Sequence, residues 1–315
     1  MGRIDDAALA FFSVPERFAD VMNFRFFDGK NVIKPEELHA ADSVMAGRQR
    51  RRSGDTQGRV IVDKTMLWRD RYLRILIQEY QAFIDYGMLF RSMFSEALAY
   101  HRQYKDRQRE HKRMRDLKTG DEFLSGIKRD DRFAPVITLV INLSGRRWNG
   151  EKSLYGMLNE GADDIIKPWI SEYRLNVLDY HDYESLDAFS TDVKKVFEIL
   201  SRMEDRSEII SLLEQDKSYA DLEDDMADLI EAISDVRISH DDGGKRDMCK
   251  AWIDQKEAGR VEGRVESIME LLQDYGKVTS DLRKRISEEN DLDTLSRWHK
   301  LAARSGSIEA FVQAM

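Results

Sequence analysis

Residues Arg59 to Gln81 read R-V-I-V-D-K-T-M-L-W-R-D-R-Y-L-R-I-L-I-Q-E-Y-Q. Two runs rich in β-branched residues, 59–67 and 72–77, flank the polar break W-R-D-R at Trp68 to Arg71. That pattern predicts a β-hairpin with its turn at the break. Side chains alternate along a strand, so Leu73, Ile75, Ile77, Glu79 and Gln81 share one face, and Ile61 shares one with Asp63. The hairpin brings Asp63 toward Glu79-x-Gln81, with both acids at the end of an apolar stripe. A carboxylate in such a place is costly unless something compensates it. A divalent metal or a basic side chain would do so, and a metal held by two acids points to phosphodiester chemistry. Asp70 is a rival first acid, but W-R-D-R suits a turn better than a sheet face.

Upstream, S-V-P-E-R-F-A-D-V-M-N-F carries the Ser-x-Pro start and apolar spacing of a short helix from Pro15, and Asp28-Gly29 marks its turn. Pro35 starts a further helical turn. Gly47 to Gly58 holds no large apolar residue and reads as a loop. Downstream, Leu89, Met93, Ala97 and Tyr100 (or Leu98) mark a helix from Met88 to about Lys118. Pro135 to Leu143 is a continuous apolar run, the signature of a buried central strand. Tyr173 to Tyr180 alternates as another strand. From Ala188 onward the periodicity is helical throughout, broken by a linker at Asp241-Asp242-Gly243-Gly244. The order predicts an α/β core with a mixed sheet over residues 1–187, then an all-helical region over 188–315.

The chain has 315 residues, 42% apolar and 35% charged, with a net charge of -9. Its charge is unevenly placed. Residues 101–118 hold eight Lys or Arg against three acids, and residues 48–59 hold five Arg against Asp55. Residues 203–235 hold twelve acids against two bases. A basic front half suits a nucleic-acid partner, DNA here; solvated helix faces are the plainer reading. Cys249 is the single cysteine, which excludes an intrachain disulfide framework and a Cys-based metal site. His101 and His111 do not share a helix face, so zinc spacing is lacking. No glycine-rich loop has the strand-turn-helix context of a phosphate cradle. No apolar run reaches 18 residues, and Asp5 and Asp6 do not suit a signal peptide. The expectation is a cytoplasmic protein without a membrane partner.

Five stretches carry a resemblance: P-E-R-F-A-D-V-M-N-F-R-F-F-D-G-K-N-V-I-K-P-E-E-L (15–38), V-D-K-T-M-L-W-R-D (62–70), I-L-I-Q-E-Y-Q-A-F-I-D-Y-G-M-L-F-R (75–91), A-P-V-I-T-L-V-I-N-L-S-G-R-R-W-N-G (134–150) and Y-R-L-N-V-L-D-Y-H-D (173–182). In order and spacing they resemble the recombination-promoting nuclease and putative transposase family of the PD-(D/E)XK nuclease superfamily. The resemblance implies a restriction-endonuclease-like core and Mg²⁺-dependent DNA cleavage, with Mn²⁺ as a substitute, tied to recombination or defence against mobile DNA. It implies Asp63 and Glu79 as metal acids, with Gln81 where the superfamily carries Lys. Asp20 or Glu16 would be a third acid from the first helix, and Arg91 would supply the positive charge that Gln81 lacks. A homodimer is left open. Two other readings stand beside it: a degraded relative that binds DNA or a protein without cutting, and a helical interaction protein.

Overall fold

The computed structural model describes residues 3–40, 63–69, 71–78, 84–159, 165–234, 236–240 and 246–315. In chain order the elements are α1 (Arg3–Phe12), α2 (Pro15–Phe27), β1 (Leu38–Ala40), β2 (Asp63–Trp68), β3 (Arg71–Gln78), α3 (Met88–Met114), α4 (Gly120–Ser125), β4 (Val136–Asn142), β5 (Val177–Leu178), α5 (Val193–Leu200), α6 (Arg206–Gln215), α7 (Asp224–Ser234), α8 (Met248–Tyr275), α9 (Ser280–Ser287), α10 (Leu292–Ala302) and α11 (Ile308–Ala314). The fold is α/β, mostly helical, around one five-stranded mixed sheet in the order β1-β2-β3-β4-β5. β1, β2 and β3 are antiparallel neighbours, whereas β4 and β5 run parallel to β3.

The hairpin forms with its turn at W-R-D-R, where the sequence places it. Trp68 and Arg71 are themselves a ladder pair, so only Arg69 and Asp70 connect the strands. Arg69 has φ 51°, the left-handed backbone that two-residue hairpin turns demand. Glu37 holds this end by accepting from Trp68 Nε1 at 2.8 Å and Arg69 Nε at 3.2 Å. The two-residue turn also fixes parity. Each odd position of β2 stands opposite an even position of β3: Asp63 opposite Leu76, Thr65 opposite Arg74, Leu67 opposite Tyr72. Asp63 is therefore not in line with Leu73 and Ile75, as the apolar stripe implied, because a one-residue change in register exchanges the faces. The expected strand over 59–62 lies outside the described residues.

β4 is buried along nearly its whole length, as a central parallel strand with both faces covered should be. On one face Val140 and Val177 pack with Met88 and Leu89 of α3, and with Trp148 and Leu175. Leu139 and Ile141, of opposite parity, are equally buried. The helix after the hairpin ends at Met114, short of the expected Lys118, where Arg115 turns left-handed at φ 54°. A capping box, Thr119 with Glu122, then starts α4. On α3 the buried positions are Met88, Leu89, Ser92, Ala99 and His111; Ala97 and Tyr100 face outward. The strand read over Tyr173 to Tyr180 shrinks to Val177–Leu178, with Arg174 in a separate bridge to Ser153.

The chain divides into two compact units, 1–209 with 224–235, and 210–223 with 236–315. The sequence boundary after residue 187 thus falls inside the first unit. The reason is that α5 packs on α2, and α7 on α1 and α5. Arg17, almost fully buried on α2, ties these helices together. Its Nε and Nη2 donate to Asp192 at 2.7 Å, and its Nη1 donates to Asp225. Burial opposes its charge, but the two carboxylates outweigh that and raise its pKa. The second unit is helical. Its core joins Ile268, Met269 and Leu272 of α8 to Leu282, Ile286, Leu295, Trp298 and Phe311. Asp247, Thr279, Asp291 and Ser307 cap its helices with side-chain oxygens. Among the described residues no helix is long and apolar enough to cross a membrane.

Candidate functional site

Strand direction gathers chemistry at one edge of the sheet. β3, β4 and β5 are parallel, so their carboxyl ends, Gln78, Asn142 and Leu178, leave the sheet on the same side. β2 is antiparallel to β3, so its first residue, Asp63, starts at that same edge. Ligands of open α/β sheets bind outside the carboxyl ends of the strands. Glu79 follows Gln78 directly in the sequence. Glu79 and Gln81 lie outside the described residues, and so does the side chain of Asp63.

The other two expected residues are engaged elsewhere. Asp20, 4% exposed on α2, accepts from the backbone N–H and hydroxyl of both Ser190 and Thr191, at 2.6 to 3.1 Å. Both of its oxygens are used to hold the chain just before α5. Arg91, near the start of α3, pairs through Nη1 with Asp85, whose other oxygen accepts from the Gly87 N–H at 2.9 Å. Glu16 is exposed at the start of α2. The structure therefore brings Asp63 to the edge where the chain continues to Glu79, and gives Asp20 and Arg91 partners of their own.

The best-built polar group at this edge lies past β4 and β5. Asp179, fully buried, follows β5 directly. One of its oxygens accepts from Asn142 Nδ2 at 3.2 Å and from the Trp148 N–H. The other accepts from the His181 N–H at 3.1 Å and lies 2.7 Å from His181 Nδ1. Asn142 is wholly buried as well. Its Oδ1 accepts from Ser144 N and Oγ, and its Nδ2 also donates to the Arg146 carbonyl. Beside His181, Asp182 pairs with Lys152 at 3.0 Å and Arg147 at 3.2 Å. Partial burial opposes its ionisation, but those two bases hold its carboxyl below the usual range.

Comparison with known proteins found no matching family model, no matching curated protein and no matching solved structure. The chemistry of this edge stands on its own residues.

The Asn142–Asp179–His181 group was within reach of the sequence. Polar residues that end an apolar strand, Asn142 after V-I-T-L-V-I and Asp179 after L-N-V-L, mark the carboxyl edge of a parallel sheet. What hid them was the need to know that the two strands are neighbours and parallel. Among the described residues, no group of three or more His, Cys, Asp or Glu is arranged to hold a metal ion. Carboxylate oxygens, which Asp63 and Glu79 carry, are as a class hard ligands that suit Mg²⁺ or Mn²⁺ rather than a thiolate-seeking metal.

Proposed function

We propose that this protein is a Mg²⁺-dependent DNA endonuclease with a restriction-endonuclease-like core. The observation that carries the proposal is that Asp63 begins β2 at the edge where β3 ends and the chain continues to Glu79-Tyr80-Gln81. Asp63 and Glu79 would hold the ion there. When bound, Mg²⁺ lowers the pKa of a coordinated water and offsets charge on the phosphate. Gln81 has no charge and orients water only by hydrogen bonds. The parity of the hairpin adds a requirement. Asp63 is in register with even positions of β3 and Glu79 is an odd position, so shared use of one ion needs the alternation to break after Gln78, as a β-bulge breaks it.

The test is plasmid nicking with and without Mg²⁺, on wild type, Asp63→Ala and Glu79→Ala. The expected result is metal-dependent nicking that both substitutions abolish with the fold intact. Nicking unchanged in both variants would overturn the assignment.

One observation favours the non-cutting reading. Arg91, the charge expected to stand in for the missing Lys, is held by Asp85. Under that reading DNA binding survives both substitutions and no nicking appears with Mg²⁺ or Mn²⁺.

A further inference from the structure

A nuclease of this kind needs a group that takes a proton from the attacking water. Gln81 has no titratable group, and the Arg91 guanidinium, held by Asp85, only donates. We infer that His181 takes this proton, held in place by Asp179. The inference rests on the proposed phosphodiester chemistry.

Four observations support it. The Asp179 oxygen 2.7 Å from Nδ1 fixes the proton of a neutral imidazole on that nitrogen, which leaves the lone pair on Nε2. Nε2 makes no hydrogen bond to a described residue, and the side chain keeps 27% exposure, so solvent reaches it. The ring cannot drift: it stacks on Tyr180 at 3.9 Å, and the Tyr180 hydroxyl is tied to the Gly145 and Leu200 carbonyls at 3.2 Å each. Finally, Asp179 is itself locked by Asn142 and the Trp148 N–H, so the dyad is built on β4 and β5 rather than on a loop alone.

β5 lies two strands from β3, and strands are about 4.8 Å apart, so the dyad stands roughly 10 Å from the end that leads to Glu79. In the step, the water oxygen forms a bond to phosphorus as the bond from phosphorus to the leaving nucleoside oxygen breaks. The water proton passes to Nε2. The leaving oxygen takes a proton from solvent, and the imidazolium returns its proton to solvent. Asp179 is a positioning residue and His181 a catalytic one.

The experiment compares supercoiled-plasmid nicking by wild type, His181→Ala, His181→Gln and Asp63→Ala in Mg²⁺, with and without added imidazole. Melting curves check each fold. General-base loss is worth about 10²–10⁴-fold, so His181→Ala should nick at least about 100-fold more slowly and recover with imidazole. Asp63→Ala should be inactive and should not recover. A second readout needs no metal: ring ¹⁵N shifts of the metal-free protein should report the Nδ1–H tautomer, altered in Asp179→Asn. Wild-type rates in both His181 variants would overturn the role of His181 and leave the nuclease reading standing. Loss without imidazole recovery in a folded protein, or an Nε2–H tautomer, would equally overturn it. A wild type silent with both Mg²⁺ and Mn²⁺ would overturn the nuclease reading and this inference together.

Discussion

Asp63 stands directly opposite Leu76 across the β2–β3 ladder, three residues short of Glu79. The pairing ties the two acids' relation to the length of the turn at Arg69-Asp70. Inserting one glycine after Arg69 should shift the register by one and move Asp63 out of its place. We expect that insertion to abolish Mg²⁺-dependent nicking as fully as Asp63→Ala, with a loss of melting temperature that Asp63→Ala does not show. Full activity in the insertion variant would mean that the register does not matter to the site.

Asp20 gives a separate prediction, because a buried carboxylate with four donors on it has a structural task. Its removal leaves the Ser190 and Thr191 donors without their acceptor. A hydrogen bond to a charged group contributes about 1.5–3 kcal/mol. Asp20→Ala should therefore destabilise the first unit by about 3 kcal/mol, a fall of roughly 6–12 °C in melting temperature. Unchanged melting with lost nicking would return Asp20 to the list of metal ligands.

His111 carries a pH dependence whose sign follows from its partners. Its Nδ1 lies 2.8 Å from Asp116 and its Nε2 lies 2.9 Å from Asp131, an arrangement in which both ring nitrogens can donate only when the ring is protonated. Asp131 and then Asp116 raise its pKa above the ordinary value. A raised pKa gives stability that is full below the unfolded value, about 6.5, and is lost as pH rises through the folded value. Asp116, held chiefly by Lys128, has its pKa lowered. Asp131 is lowered too, because the Lys128 N–H and His111 outweigh its desolvation. These two carboxylates act in reverse: their contribution is lost as pH falls below the usual carboxylate range. The clasp between the end of α3 and residues 116–131 should hold best between those limits. NMR titration of the His111 ring and amide exchange over 111–131 check this. A ring that titrates at or below the free value would contradict it.

Gly29 adjoins Ala188, two residues before Ser190. It sits at φ 75°, and a Cβ there would lie 2.6 Å from the Ala188 carbonyl oxygen. The left-handed backbone alone costs an L-residue about 1–2 kcal/mol, and the contact adds to that. Gly29→Ala should lower stability by about 2 kcal/mol or more, read by chemical denaturation. A neutral substitution would show that the α2 turn and the segment before α5 are not in close contact.

How much of this could be read in advance depends on range. The hairpin, the buried run at Val136–Asn142 and the helical C-terminal region follow from local periodicity, and each appears. The turn falls at W-R-D-R as the sequence places it, although its left-handed residue is an arginine and not the Asn or Gly that usually marks such a turn. Asp20 read as a candidate ligand because helical spacing says nothing about Ser190 and Thr191, which lie 170 residues away. The helix Arg3–Phe12 and the strand Leu38–Ala40 were not read at all. The strand is three residues long and forms only because β2 offers it an edge. The His181 dyad is hidden from local pattern for the same reason as the partners of Asp20. Its partner Asn142 becomes a neighbour only once β4 and β5 align.

Arg17 and Asp225 are 208 residues apart, and the ion pair between them closes the helical layer of the first unit. A ribosome adds about 5–20 residues per second, so roughly 10–40 s pass between the synthesis of α2 and that of its second carboxylate partner. Until residues 190–192 emerge, the Arg17 guanidinium and the Asp20 carboxylate have no native partner, and until Asp225 follows the guanidinium has only one of its two carboxylates. The nascent chain must wait for α7 before this layer can be sealed, and a chaperone that shields the apolar face of α2 on the ribosome would cover that interval.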